Sequence, residues 1–126
     1  MLRLLTNFEM DSRLVVSVIL AGQPPLSTLL RRPDQVAMAQ RLAHYATLRL
    51  LSRDETRTYV EHRCAVAGAQ ANPFDDDAYE ALFEISRGNL RALDRLALKA
   101  LEHAAQSGAT AVSTGHVVEA RKGLAP

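Results

Sequence analysis

"LVVSVILAG", residues 14–22, decides how the rest of this chain is read. It is a β-branched apolar run broken by one serine and closed by Gly22. Such a run suits a strand covered on both faces in a parallel sheet, where no polar alternation is needed. Ahead of it, "MLRLLTNFEMDS", residues 1–12, reads as an apolar, helix-like turn leading straight into the strand. Nothing earlier in the sequence could cover either element. The opening therefore reads as the middle of a sheet domain, with flanking strands missing from this chain.

Outward from that run, "PPLSTLLRR" (residues 24–32) can begin a helix with proline in its first turn, and Pro33 stops it. "DQVAMAQRLA" (34–43) offers a second short helix with Asp34 as N-cap, and "HYATLRL" (44–50) alternates enough for a second strand. After Leu51 the character changes. Ser52 and Glu55 in "SRDE" form a capping box. The helix that follows carries Thr56, Val60, Cys64 and Ala67 on one face and ends at Gly68. "DDDAYEALFEISRG" (75–88) has acids at its N-terminus, where the helix dipole favours them, and Gly88 at its end. A long helix capped by Asn89 runs to about Gly108, and a last one from about Ser113 to Lys122. Two strands make no stable sheet alone. Residues 1–51 therefore read as part of an α/β domain, and residues 52–126 as a compact helical one.

Composition bounds the rest. The 126 residues are 48% hydrophobic and 23% charged, ordinary globular values for about one domain. A net charge of +1 imposes no bias toward nucleic acid or membrane. The single cysteine, Cys64, excludes an internal disulfide and fits a reducing cytoplasm. Leu14 to Ala21 behind Arg13 mimics a signal-peptide core but lacks a basic start and is too short to span a bilayer. His44, His62, His103 and His116 have no metal-ligand spacing, so no metal site is expected. Tyr59, Tyr79, Phe74 and Phe83 read as core residues.

Four segments in order carry a resemblance: "LRLLTNFEMDS" (2–12), "VILAGQPPL" (18–26), "AQRLAHYATLRLLSRDETRTYVEHR" (39–63) and "ISRGNLRALDRLALKAL" (85–101). Together they resemble the C-terminal part of AAA+ ATPases of the secretion-pathway protein A type, a group that includes the transposition helpers of insertion sequences. The match covers nearly all of this chain and about the C-terminal half of a typical member. It implies an α/β remnant of a P-loop NTPase domain with two short parallel strands (residues 1–51), followed by an α-helical lid (52–126), mostly α overall. It also implies ATP and Mg²⁺ as cofactors of full-length members, and self-association into a ring or filament. DNA and a transposase are implied as partners of the transposition branch, toward which "LTNFEMDSR" (5–13) leans. The single cysteine and the short apolar run, for their part, lead to the expectation of a cytoplasmic location without a membrane.

The resemblance also assigns roles. Gln23 matches the sensor 1 region, which orients the attacking water; the alternative is a loop amide capping the helix at Pro24. Arg41, at the end of a short helix, matches the arginine finger that acts in trans on a neighbouring subunit's nucleotide, as a fixed guanidinium fork suits. Arg31 or Arg32 could take that role, or Arg41 could be a surface residue. Arg91 matches sensor 2. In its own right it joins a guanidinium to the positive end of a helix, which suits an anion; the alternative is an ion pair with Asp94. Arg95 is a lesser candidate. A P-loop needs a Gly-rich turn followed by lysine, and neither Lys99 nor Lys122 follows one. The chain alone is therefore expected to be inactive as an ATPase. The functional expectation is a C-terminal AAA+ fragment acting as a transposition helper. The alternatives are a secretion-pathway ATPase fragment, or a helical protein- or DNA-interaction module without nucleotide chemistry.

Overall fold

The computed structural model describes residues 17–124. The chain divides into two compact units, Met1–Thr47 and Leu48–Pro126. In the first, helix α1 (Pro25–Leu30) is followed by a 3₁₀ turn (Pro33–Gln35) and a single turn of helix, α2 (Val36–Ala39). The two short helices expected from sequence are present, each with proline or a neighbouring turn fixing its start. Asp34 is not an N-cap, however: Arg32 caps the 3₁₀ turn, and Gln35 caps α2 without a side-chain bond. The Asp34 carboxylate instead accepts from the Gln35 side-chain amide at 2.9 Å.

The two expected strands are not formed. Residues 17–21 and 42–50 have no ladder partner, and no strand occurs among the described residues. Ile19 is 91% exposed and Leu48 97% exposed. The reason is physical: a β-branched run becomes a strand only when a neighbour takes up its N–H and C=O groups. Residues 14–16 of the first run, and the helix expected near residues 1–12, lie outside the described residues.

The second unit is helical: α3 (Arg53–Val66), α4 (Asp76–Ser86), α5 (Leu90–Gln106) and α6 (Thr114–Lys122). Each start has a local cause. In α3 the Ser52 hydroxyl accepts from Glu55 N–H while the Glu55 carboxylate accepts from Ser52 N–H, the reciprocal box read from sequence. Asp75 caps α4 through Ala78 N–H at 2.7 Å, with Asp76 and Asp77 in the first turn. Asn89 caps α5 through Ala92 N–H at 3.1 Å. At α6 the imidazole of His116 replaces the usual glutamate, with Nδ1 accepting from Ser113 N–H at 3.0 Å.

Burial follows the helical period. Tyr79 and Leu82 from α4, Leu93, Leu96, Ala100 and Ala104 from α5, and Val117 and Ala120 from α6 form one core with Phe74 and Val112. Phe74 and Val112 meet in a parallel β-bridge that ties the loop before α4 to the loop before α6. The buried Tyr79 hydroxyl donates to Asn72 Oδ1 at 2.6 Å, and burial pushes its pKa up to about 12. α3 contributes less: Thr56 and Val60 are buried, Cys64 is half-buried and Ala67 is exposed. Surface ion pairs do the remaining attachment, Arg53 to Glu80 and Glu84, and Arg57 to Asp76. Phe83, expected inside, is only half-buried, and what covers its ring includes the Arg53 guanidinium, 4.8 Å from the centroid.

Candidate functional site

Gln23, Arg31, Arg32 and Arg41 belong to the first unit, Arg91 and Arg95 to the second. Gln23 stands exposed just ahead of α1. Its backbone carbonyl accepts from Leu26 N–H at 2.8 Å, whereas no side chain caps this helix. The amide is thus not the capping group that its position beside Pro24 had offered as an alternative. Arg31 and Arg32 follow α1, and Arg32 lines an open hollow with Pro24, Ser27 and Thr28. Arg41 comes two residues after α2, with its side chain exposed and its backbone N–H donating to Met38 C=O at 3.1 Å.

Arg91 is the second residue of α5 and is exposed. Its sequence neighbour Asp94 is already engaged. The Tyr59 hydroxyl donates to both Asp94 oxygens, at 3.0 and 3.1 Å, and Arg63 stands 3.7 Å away. Burial, and then the Asp94 carboxylate, push the Tyr59 phenol up. Among the described residues, the Arg91 guanidinium makes no hydrogen bond or ion pair, and neither does that of Arg95. The local ion pair with Asp94 is therefore not made. What remains is a solvated guanidinium beside the first-turn amides of a 17-residue helix, a place where the dipole and the fork favour the same kind of ligand, an anion.

Sequence reasoning missed the device that sets this helix start. The sequence marks Gly88 as the helix stop, yet the left-handed conformation begins one residue earlier, at Arg87 (φ 51°), and continues through Gly88 (φ 75°). No local signal marks an arginine for that conformation, which non-glycine residues adopt only when their surroundings hold them there. Gly88, in turn, is in contact with the backbone of Leu51.

These residues do not amount to a nucleotide site. The chain has no phosphate-cradling glycine turn followed by lysine. Among the described residues no group of three His, Cys, Asp or Glu is arranged to hold a metal ion. Nor, among the described residues, is any helix long and apolar enough to cross a membrane.

No family model matches this chain, and no solved structure does. A curated protein does match. The similarity is to General secretion pathway protein A of Aeromonas hydrophila. The two are 34% identical over 116 residues, which cover 92% of this chain and 21% of that protein. The chain thus spans about a fifth of its relative's length. The relative bears the name of the group whose motifs residues 2–101 resemble.

Proposed function

We propose that this chain corresponds to the C-terminal part of the ATPase domain of a secretion-pathway protein A type AAA+ ATPase. The observation that carries this is the 34% identity running through 92% of the chain, well beyond any single motif. The four-helix unit after Leu48 agrees with a lid, and its exposed, unengaged Arg91 agrees with a lid residue that meets a nucleotide phosphate in its own subunit. In this reading Arg41 is the finger that reaches a neighbouring subunit's nucleotide, and Gln23 orients water as sensor 1. ATP and Mg²⁺ belong in this reading to the full-length protein, and a finger that acts in trans requires subunits to associate. The secretion branch is preferred to transposition. "LTNFEMDSR" alone leans toward the helpers, and no feature of the fold or the comparison supports a DNA or transposase partner.

The test is a graft. Residues 17–124 replace the matching segment of the Aeromonas protein, and ATP hydrolysis of the chimera is measured. The expected result is turnover that falls at least tenfold, about 1.4 kcal/mol, in Arg41→Ala and in Arg91→Ala. Arg41→Lys should fail as well, because an ammonium cannot form the fork. Mixing Arg41→Ala subunits with subunits lacking the P-loop lysine should restore part of the activity, whereas the Arg91→Ala defect should follow its own nucleotide. A folded chimera indifferent to both arginines would remove the reading.

A further inference from the structure

The turn between α4 and α5 is gripped by the segment that precedes α3. Leu51 N–H donates to Gly88 C=O at 2.9 Å. A Cβ added at Gly88 would lie 2.1 Å from Leu51 O and 2.7 Å from Leu51 N, so only glycine allows this approach. The adjoining Arg87 is, among the described residues, the one non-glycine residue with positive φ. It is held by its N–H to Phe83 C=O at 2.7 Å and by its guanidinium to Glu84 at 2.7 Å.

Leu51 is itself fixed from the other side. The Arg49 guanidinium forks onto both Glu55 oxygens, at 2.7 and 2.6 Å, and reaches Leu50 C=O at 3.1 Å. The same carboxylate accepts from Ser52 N–H at 2.8 Å. Residues 49–52 are thus fastened to the first turn of α3 and, through Leu51, to the turn 86–89. Asn89, the cap of α5, and then Arg91 follow immediately.

We infer that Arg49–Ser52 is a clasp through which the chain entering α3 sets the conformation of the Arg87–Gly88 turn, and with it the first turn of α5 that carries Arg91. Arg49 is a positioning residue in this device, although it is 42 residues from Arg91 in sequence and touches neither Gly88 nor α5 in any hydrogen bond. Loosening the Arg49–Glu55 fork frees Leu51, and a freed Leu51 lets the left-handed pair relax. Every group of the clasp lies within the unit Leu48–Pro126.

Amide hydrogen exchange and backbone chemical shifts of the whole 126-residue chain test it. Arg49→Gln removes the fork without adding bulk at the turn. Arg57→Gln is the control, removing the pairs to Glu61 on α3 and to Asp76 at the start of α4. In Arg49→Gln the Leu51 amide should exchange at least about tenfold faster, with shifts moving at Asn89 through Ala92. In Arg57→Gln neither should change. An unchanged Leu51 amide, a faster Leu51 with residues 89–92 unmoved, or the same response in both variants would each overturn the clasp.

Discussion

Glu55 shows how much local order one exposed side chain can carry. Its carboxylate closes the capping box with Ser52 and receives the Arg49 fork, and the two together hold its pKa at about 2, the Arg49 hydrogen bonds contributing most. A carboxylate whose folded pKa is depressed contributes stability above its unfolded pKa, about 4.3, and loses it as pH falls through the folded value. Glu55→Gln should therefore lower the thermal midpoint at pH 7, and the gap to the parent chain should close between about pH 4 and pH 2. Thermal melts across that range check it, and a gap that stays constant with pH would remove the electrostatic account. The box itself was legible in "SRDE" because a cap uses residues three apart. The Arg49 fork was not, since it depends on how a non-helical segment folds back. The place of Arg91 in the first turn of a helix was legible for the same local reason as the box: a glycine, a capping asparagine and an arginine close together in sequence. That Asp94 is taken by Tyr59 was beyond reach, because the hydroxyl comes from 35 residues away.

At the scale of elements, the four helices after Ser52 were readable because each has a cap and an apolar stripe of helical period. In α5 the stripe is Leu93, Leu96, Ala100 and Ala104, all buried. The strands were misjudged because strand formation is decided by a partner elsewhere, and residues 17–21 and 42–50 find none. The same nonlocality hid the Phe74–Val112 bridge, made by Val112 N–H to Pro73 C=O at 2.7 Å and Asp75 N–H to Val112 C=O at 3.1 Å. The stripe also ranks substitutions. Leu82 and Leu96 are enclosed, so Leu82→Ala or Leu96→Ala should cost about 2–5 kcal/mol in urea unfolding. Leu98, on the same helix but 57% exposed, should change stability by no more than about 0.5 kcal/mol when replaced by alanine. Equal losses at Leu96 and Leu98 would mean that α5 buries a different face.

The whole molecule is uneven in where its stability resides. Every buried residue among the described ones lies between Thr56 and Ala120, and none of residues 17–47 is buried. α1 and α2 are six and four residues long, below the length at which a helix persists in water without packing. Apolar burial is the main favourable term in folding, so the cooperative transition should belong to the unit that begins at Leu48. A fragment of residues 48–126 keeps the Arg49–Glu55 fork, the Leu51–Gly88 contact and the entire core. For a domain of this size about 1 kcal/mol moves the midpoint by roughly 4–8 °C. Removal of residues 1–47 should therefore shift the thermal midpoint by less than about 4 °C, with full helical signal retained from α3 to α6. The exposed Ile19 and Tyr45 leave with the deleted segment, so the fragment should also self-associate less than the whole chain at equal concentration in sedimentation. A midpoint drop beyond about 8 °C would show that residues 1–47 stabilise the helical unit after all, and undiminished association would place the sticky surface on that unit.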